Sequence, residues 1–345
     1  MQLFNKNSIA HILPPLFLMG CLLAAGCQSN SNSASKAAAD ASDMLADTVN
    51  TSRMNWDRNE LGEVPEGMMG EYITYGYKLI TETQQYIGPN VADPSMQFSG
   101  NNLTCQTCHL SGGTKKFAAP YIGLDARFPQ YRGRENTIGT IEDRINGCME
   151  RSMNGEKLPI DSKEMKAMVA YMHWLSRGIP VGEVPEGRGF TEVHLPDRKV
   201  NLEHGKQVYD THCTACHQAD GGGLRAGKVG DTNGYIYPPL WGGDSFNNGA
   251  GMHRVITATR FIKGNMPLGA TYDNPVLTDE EAYDVAAYIN SKKRPTKSNL
   301  KADYPDLSKK PIDSPYPPFP DSFSREQHRF GPFQPIMEAR KSNEG

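Results

Sequence analysis

The sequence has no surplus of either charge. Across 345 residues, 36 Lys and Arg meet 39 Asp and Glu, for a formal net charge of −3. Neither a nucleic acid nor an anionic membrane is therefore an implied partner. Apolar residues are also few, at 38%, which is lean for a core closed by side chains alone. The apolar run over residues 9–23 is short for a bilayer span and is broken by His11, Pro14 and Pro15, which argues against a permanent membrane helix there. Cysteine is sparse too. The 7 cysteines fall as Cys21 and Cys27 near the N-terminus, two close pairs further on, and Cys148 alone. What is plentiful is 34 Gly and 24 Pro, so loop-rich domains are expected, and the length suits two of them plus appendages.

The two close pairs carry the first chemistry. Cys105-Gln106-Thr107-Cys108-His109 is echoed by Cys213-Thr214-Ala215-Cys216-His217. Two thiols three positions apart, with a histidine directly after the second, are what covalent attachment of a c-type haem requires. The thiols become thioethers on the porphyrin edge, and the turn aims the imidazole at the iron. The chain is thus expected to carry two covalently bound haem c, one on Cys105, Cys108 and His109, the other on Cys213, Cys216 and His217. Two buried porphyrins would supply the apolar surface that the side chains lack.

Residues 1–26 read as an export signal, with Lys6 as a short basic start and Ala24-Ala25-Gly26 as small residues before Cys27. Leu23-Ala24-Ala25-Gly26-Cys27 also resembles a bacterial lipobox, which would make Cys27 a lipid anchor; Cys21 is a weaker candidate. The expected location is periplasmic, tethered to a membrane as a lipoprotein. In that oxidising space an unpaired Cys148 calls for an explanation.

Residues 27–55 are mostly Ser, Asn, Ala and Asp and read as a flexible tether. Helical spacing is expected over 68–86, near the first haem, and over 140–152, with Thr140 and Asp143 as a start signal. Asp161 and Glu164 are expected to form a capping box opening a helix over 165–176, and Thr278 and Glu281 one opening a helix to 291. Between these, helices are expected over 201–211 and around 252–262. Met168-Val169-Ala170-Tyr171 lines up with Val285-Ala286-Ala287-Tyr288 at the same offset from each cap, the sign of one small helical fold used twice. The expected boundaries are 56–185 for the first domain and 186–295 for the second. Residues 296–345, rich in Pro with Phe319, Phe323, Phe330 and Phe333 interspersed, are expected to lie extended against both.

The ligand opposite each histidine decides the role of each haem. In the second domain Met266-Pro267 resembles the distal segment of class I cytochromes c, where a thioether raises the potential; Met252, His253 and Lys263 compete. The first domain has no matching Met-Pro pair. Met149, Met153, Met165, Met168 and Met172 compete there, although methionines at helical spacing commonly fill a core. Arg144, Cys148 and Ser152 are spaced four apart and would share one helix face. A cation one turn away favours thiolate, the form that binds metal and attacks sulfur. Arg134 would add a second charge from a loop.

Together these strings resemble the dihaem thiosulfate dehydrogenase family, whose members are also described as tetrathionate synthases or reductases. The likeness runs over about residues 56–295. It rests on residues 104–109, on Glu142-Asp143-Arg144-Ile145-Asn146-Gly147-Cys148-Met149-Glu150-Arg151-Ser152 with the residues to Gly155, and on Lys263-Gly264-Asn265-Met266-Pro267. The resemblance implies an all-α protein of two class I cytochrome c-like domains in tandem. It implies a catalytic haem held by His109 and Cys148, a sulfur-oxyanion site of Arg134, Arg144 and Ser152, and a second haem held by His217 and Met266. The implied reaction is the two-electron interconversion of two thiosulfates and one tetrathionate, with electrons exchanged with an external c-type cytochrome or similar carrier. Some members have Lys immediately before the methionine ligand and switch ligands on reduction; this chain has Asn265, so no such switch is expected. The alternatives are a dihaem cytochrome that only transfers electrons, and a Sox-type sulfur-oxidising cytochrome subunit.

Overall fold

The computed structural model describes residues 63–343. The leader, Cys21, Cys27 and the tether lie outside the described residues. Among the described residues no helix is long and apolar enough to cross a membrane.

The frame is a helix pair used twice. In the first half, α1 (Met68–Thr81) crosses α3 (Lys163–Ser176), with α2 (Ile141–Met149) between them in sequence. In the second, α4 (Leu202–His212) crosses α6 (Asp279–Ser291), and α5 (Val255–Asn265) packs on α6. Both crossings close on a glycine. A Cβ on Gly76 would sit 2.0 Å from the Ala167 carbonyl oxygen and 2.8 Å from Tyr171 Cβ; one on Gly205 would sit 2.1 Å from the Asp284 oxygen and 3.0 Å from Tyr288 Cβ. Only a residue without a side chain lets the backbones approach that far. Tyr171 and Tyr288, paired by the internal repeat, occupy the same place in the two halves.

Two local expectations are corrected. The cap of α3 is Ser162, not Asp161, and accepts from the Met165 N–H; Glu164 instead accepts from the Tyr75 hydroxyl at 3.0 Å. Helix α2 stops at Met149, so Ser152 is not on its face. Past Met149 the backbone leaves the helical ladder: the Arg151 and Met153 N–H groups both donate to Cys148 O and the Gly155 N–H to Met149 O, while Asn247 Nδ2, Asn101 Nδ2 and Gly100 N satisfy the carbonyls of Glu150, Ser152 and Met153. The fold is predominantly helical, as expected, with two small antiparallel ribbons added: β1 (Gln130–Arg132) with β2 (Thr137–Gly139), and β3 (Leu224–Arg225) with β4 (Tyr235–Tyr237). The first ribbon carries Arg134 in its turn. The caps of α2 and α6 form as expected, each with its reciprocal pair, Thr140 with Asp143 and Thr278 with Glu281.

The halves are not insulated. Phe246 and Ala250, from the second, are buried in the core of the first beside Met149, Met153 and Met168. Asp244 accepts from Asn102 of the first half and from Arg225 of its own. Asn265 Nδ2 donates to Phe117 O at 3.1 Å, and Lys115 Nζ to Ala270 O at 3.2 Å.

The tail packs on the domains but is not simply extended. It forms α7 (Arg325–Phe330) and α8 (Gln334–Asn343), with Phe330 at the end of α7, Phe333 in the link and Ile336 in α8 buried against Val200, Val255 and Tyr283. Upstream, Lys310 is wholly buried and its Nζ has no hydrogen-bond partner. Tyr316, Phe319 and Tyr304 surround it, with ring centroids 4.6, 5.6 and 5.9 Å away. Burial pushes its pKa down to about 8, against the pull of Asp303 and with the push of Arg134. Between about 8 and the ordinary value of 10.5 the unfolded chain binds a proton that the folded chain does not. Stability therefore rises with pH through that window, and the cost is complete below it. That cost is about 3 kcal/mol, partly offset by ring attraction of about 1–2 kcal/mol. Lys310→Met is expected to raise stability at pH 7 by on the order of 1–2 kcal/mol, seen as a higher Tm, with the gap narrowing as pH rises above about 8. A lower Tm at pH 7 would show that the rings more than repay the burial.

Candidate active site between the first haem motif and a cationic cleft

The first haem motif opens with a 3-10 turn, Cys105–Thr107, capped reciprocally by Thr104 and Thr107 and tied to α1's end by Thr83, whose hydroxyl accepts from the Cys105 N–H at 3.0 Å. His109 Nδ1 is hydrogen-bonded to Ala119 O at 2.6 Å, which directs Nε2 toward a metal. The second motif repeats the device, His217 Nδ1 to Pro238 O at 2.8 Å. Each carbonyl precedes a proline, Pro120 or Pro239, which holds that peptide in a fixed direction.

Cys105, Cys108 and His109 open onto a cavity with about 1150 Å³ of empty volume. Apolar side chains such as Ile80, Leu103, Leu124, Phe128 and Phe246 wall it, and Cys148 enters it. Two thiols, an oriented imidazole and a third thiol in an apolar slot fit a c-type haem. Met149, Met153, Met168 and Met172 also line the wall, while Met165 is core alone.

Cys148 is held by charge. Arg144 Nη1 donates to its Sγ at 3.0 Å, one turn back on α2. Burial pushes the thiol up, but Arg144 and the hydrogen-bonded His109 outweigh it and bring the pKa down to about 6.

Beside this cavity lies a cleft that shares Cys108, His109, Arg144, Cys148 and Ser152 with it. Six arginines and Lys309 line the cleft, with Glu135 as its one carboxylate. Arg132 pairs with Glu135, Arg254 with Asp313 and Arg260 with Glu192, at 2.7–2.9 Å. Arg134 and Arg151 share Asp303, and Arg144 has the Cys148 sulfur in place of a carboxylate. The cleft therefore keeps a positive excess suited to anions. The four residues Arg134, Arg144, Cys148 and Ser152 meet here although Ser152 lies past the helix end. Its hydroxyl has no protein partner among the described residues.

In the second half Met266 follows the last residue of α5 and packs, with Cys213, against one apolar cluster. Of its competitors Lys263 is engaged elsewhere: its Nζ donates to Leu277 O at 2.7 Å and pairs with Asp279 at 3.0 Å. His253 Nδ1 is bonded to Asn248 O at 2.9 Å, and Met252 packs against that same cluster as well as lining the cleft near Cys148. A thiol pair, an oriented imidazole and a thioether make a donor set that fits a second haem.

Sequence reasoning did not find Asp303, Tyr304 and Lys309 as cleft neighbours, because they lie far along the chain in a segment read as a wrapper. The prolines after Ala119 and Pro238 were the available signal for the histidine partners.

The SoxA/TsdA cytochrome c domain matches residues 96–181, and the cytochrome c family matches residues 202–293. A thiosulfate dehydrogenase of Stutzerimonas stutzeri is 40% identical over 238 residues, 69% of this chain and 72% of its own. One of Allochromatium vinosum is 43% identical over 237 residues, 67% of this chain and 82% of its own. A solved thiosulfate dehydrogenase (TsdBA) of Marichromatium purpuratum superposes with a TM-score of 0.61 at 37% identity, covering 68% of this chain and 49% of that longer one. With two tandem cytochrome c domains and this identity over most of its length, the chain belongs to the thiosulfate dehydrogenase family of cytochromes c.

Proposed function

We propose that the chain is a dihaem enzyme interconverting two thiosulfates and one tetrathionate, with Cys148 and Arg144 at its centre. The observation that carries this is the 3.0 Å contact from Arg144 Nη1 to Cys148 Sγ where the haem cavity meets the cationic cleft. In this reading Cys105, Cys108, His109 and Cys148 would hold the first haem c, and Cys213, Cys216, His217 and Met266 the second. When bound, the two haems supply a place for one electron each, which matches the two that the reaction releases. The chain's own side chains do the rest.

Two thiosulfate dianions brought within 4 Å repel by about 4 kcal/mol even in water. Arg134 and Arg144 offset that repulsion and offer forked donors to the sulfonate oxygens, and Ser152 adds a hydroxyl donor. As thiolate, Cys148 can take the sulfane sulfur of one thiosulfate: thiolate plus thiosulfate becomes a cysteine S-thiosulfonate and two electrons. The sulfane sulfur of a second thiosulfate then attacks the bound sulfane sulfur, the cysteine sulfur leaves as thiolate, and tetrathionate is released. Electrons pass to or from an external carrier such as a c-type cytochrome. The proposed setting is the periplasm, with Cys27 as lipid anchor. Asn265 before Met266 leaves no lysine at that position for a ligand switch.

A reading as electron carrier alone gives Cys148 and the cleft no task. The purified full-length holoprotein should reduce an artificial acceptor with thiosulfate and oxidise a reduced one with tetrathionate. Mass spectrometry of a sample trapped in turnover should find a thiosulfonate-sized adduct on Cys148. Inactivity with both anions would overturn the reading; activity with no adduct would leave Cys148 as a ligand only.

A further inference from the structure

Arg134 belongs to the first half, yet its guanidinium is fixed by residues from elsewhere. Nη1 donates to Gly249 O at 2.8 Å, in the second half. The Asp303 carboxylate lies 3.7 Å from the same nitrogen, and the Tyr304 ring centroid 5.4 Å from the guanidinium carbon. The backbone is clamped as well: Tyr304 N–H donates to Arg134 O at 2.7 Å. Next to it, Gly133 admits the tail, because a Cβ there would sit 2.9 Å from Lys309 Cβ. Asp303 is itself immobile, its side chain 7% exposed. It accepts from Arg151 Nη2 at 2.6 Å and from the Tyr316 hydroxyl at 2.7 Å.

We infer that Asp303 is a positioning residue for the sulfur-anion reaction, aiming Arg134 into the cleft, and that the C-terminal tail is thereby part of the active site. The inference rests on the reading of the cleft as the thiosulfate and tetrathionate site. Its logic is geometric. At 3.7 Å the carboxylate steers the guanidinium by charge without occupying it as a close hydrogen-bond acceptor would, so donors of the fork stay available to sulfonate oxygens. The Arg151 and Tyr316 bonds keep Asp303 from following the substrate. The cytochrome c match ends at residue 293, so this segment lies outside the haem-binding fold.

The test compares kcat and KM for thiosulfate in the full-length holoprotein and in Asp303→Asn, Asp303→Glu and Tyr304→Leu, and then in Asp303→Asn on an Arg134→Ala background. Asp303→Asn is expected to raise KM roughly 10–100-fold, with most of the loss recovered in Asp303→Glu. A structural role alone would lower the active fraction, and with it the apparent kcat, and leave KM in place. On the Arg134→Ala background Asp303→Asn should add less than about twofold, because a residue acting through Arg134 has nothing left to position. If Asp303→Asn does not fold, Tyr304→Leu, which strands no charge, should still raise KM several-fold. An unaltered KM in the folded variants, or a full additional effect without Arg134, overturns the inference while the functional reading stands. A wild-type chain inactive with both anions removes the functional reading first, and the inference with it.

Discussion

Replacing Cys148 by glycine is expected to lower kcat with thiosulfate by on the order of 10³-fold or more, with both haems still attached. The attachment cysteines, Cys105, Cys108, Cys213 and Cys216, are untouched, so the pyridine haemochrome absorbance should match the parent. What goes is the sulfur between Arg144 and His109, and Arg144 is left facing an empty position. The steps that need a sulfur nucleophile then have none, and among the described residues no other thiol enters the cleft beyond Cys108, which haem attachment would consume. Turnover measured in both directions with an artificial carrier is the primary assay. Loss of a low-spin thiolate-ligated signal in electron paramagnetic resonance should accompany it. Full activity in this variant would remove the proposed site.

Arg144→Ala should cost about 10²–10³-fold in kcat/KM, the scale of losing one preorganised donor to developing charge. Arg144 is exposed at the start of the cleft, and the Thr140–Asp143 cap of α2 does not depend on it, so thermal stability should barely change. The loss is electrostatic in origin: the guanidinium both stabilises sulfur charge on Cys148 and offsets that of the incoming dianion. Arg144→Lys should recover only part of it, since an ammonium restores the charge without the planar fork. Equal kcat/KM in Arg144→Lys and the parent would mean that charge alone matters at this position.

Much of this site was legible in the residues. The two haem motifs are strict in spacing, and Arg144 and Cys148 meet because four positions on a helix is one turn. The matching places of Tyr171 and Tyr288 follow from a repeat visible by eye, whereas Gly76 and Gly205 show their role only once the helices are packed. Ser152 was misplaced on a helix face because periodicity cannot see that the Arg151, Met153 and Gly155 amides leave the helical ladder to bond Cys148 O and Met149 O. The cap of α3 slipped by one residue because Glu164 has a stronger claim from Tyr75. Arg134 was named as a second charge from a loop and its site role came through the resemblance, but its partners Asp303 and Tyr304 were not found, since pairing across such a separation depends on tertiary packing. The tail's helices were masked by its prolines, which favour an extended reading until the burial of Phe330, Phe333 and Ile336 is seen.

Although the chain reads as one small unit written twice, it is not modular. The first half borrows Phe246 and Ala250 for its interior and Gly249 for its arginine. The loop that orients His109 through Ala119 is gripped by Asn265 through Phe117. Cutting the chain at the boundary between halves would therefore not yield a simple one-haem catalyst and a separate wire. It would leave a fragment with a hole in its centre and an unbraced ligand loop, so swapping halves between relatives must carry the 244–250 segment along with the haem pocket it completes.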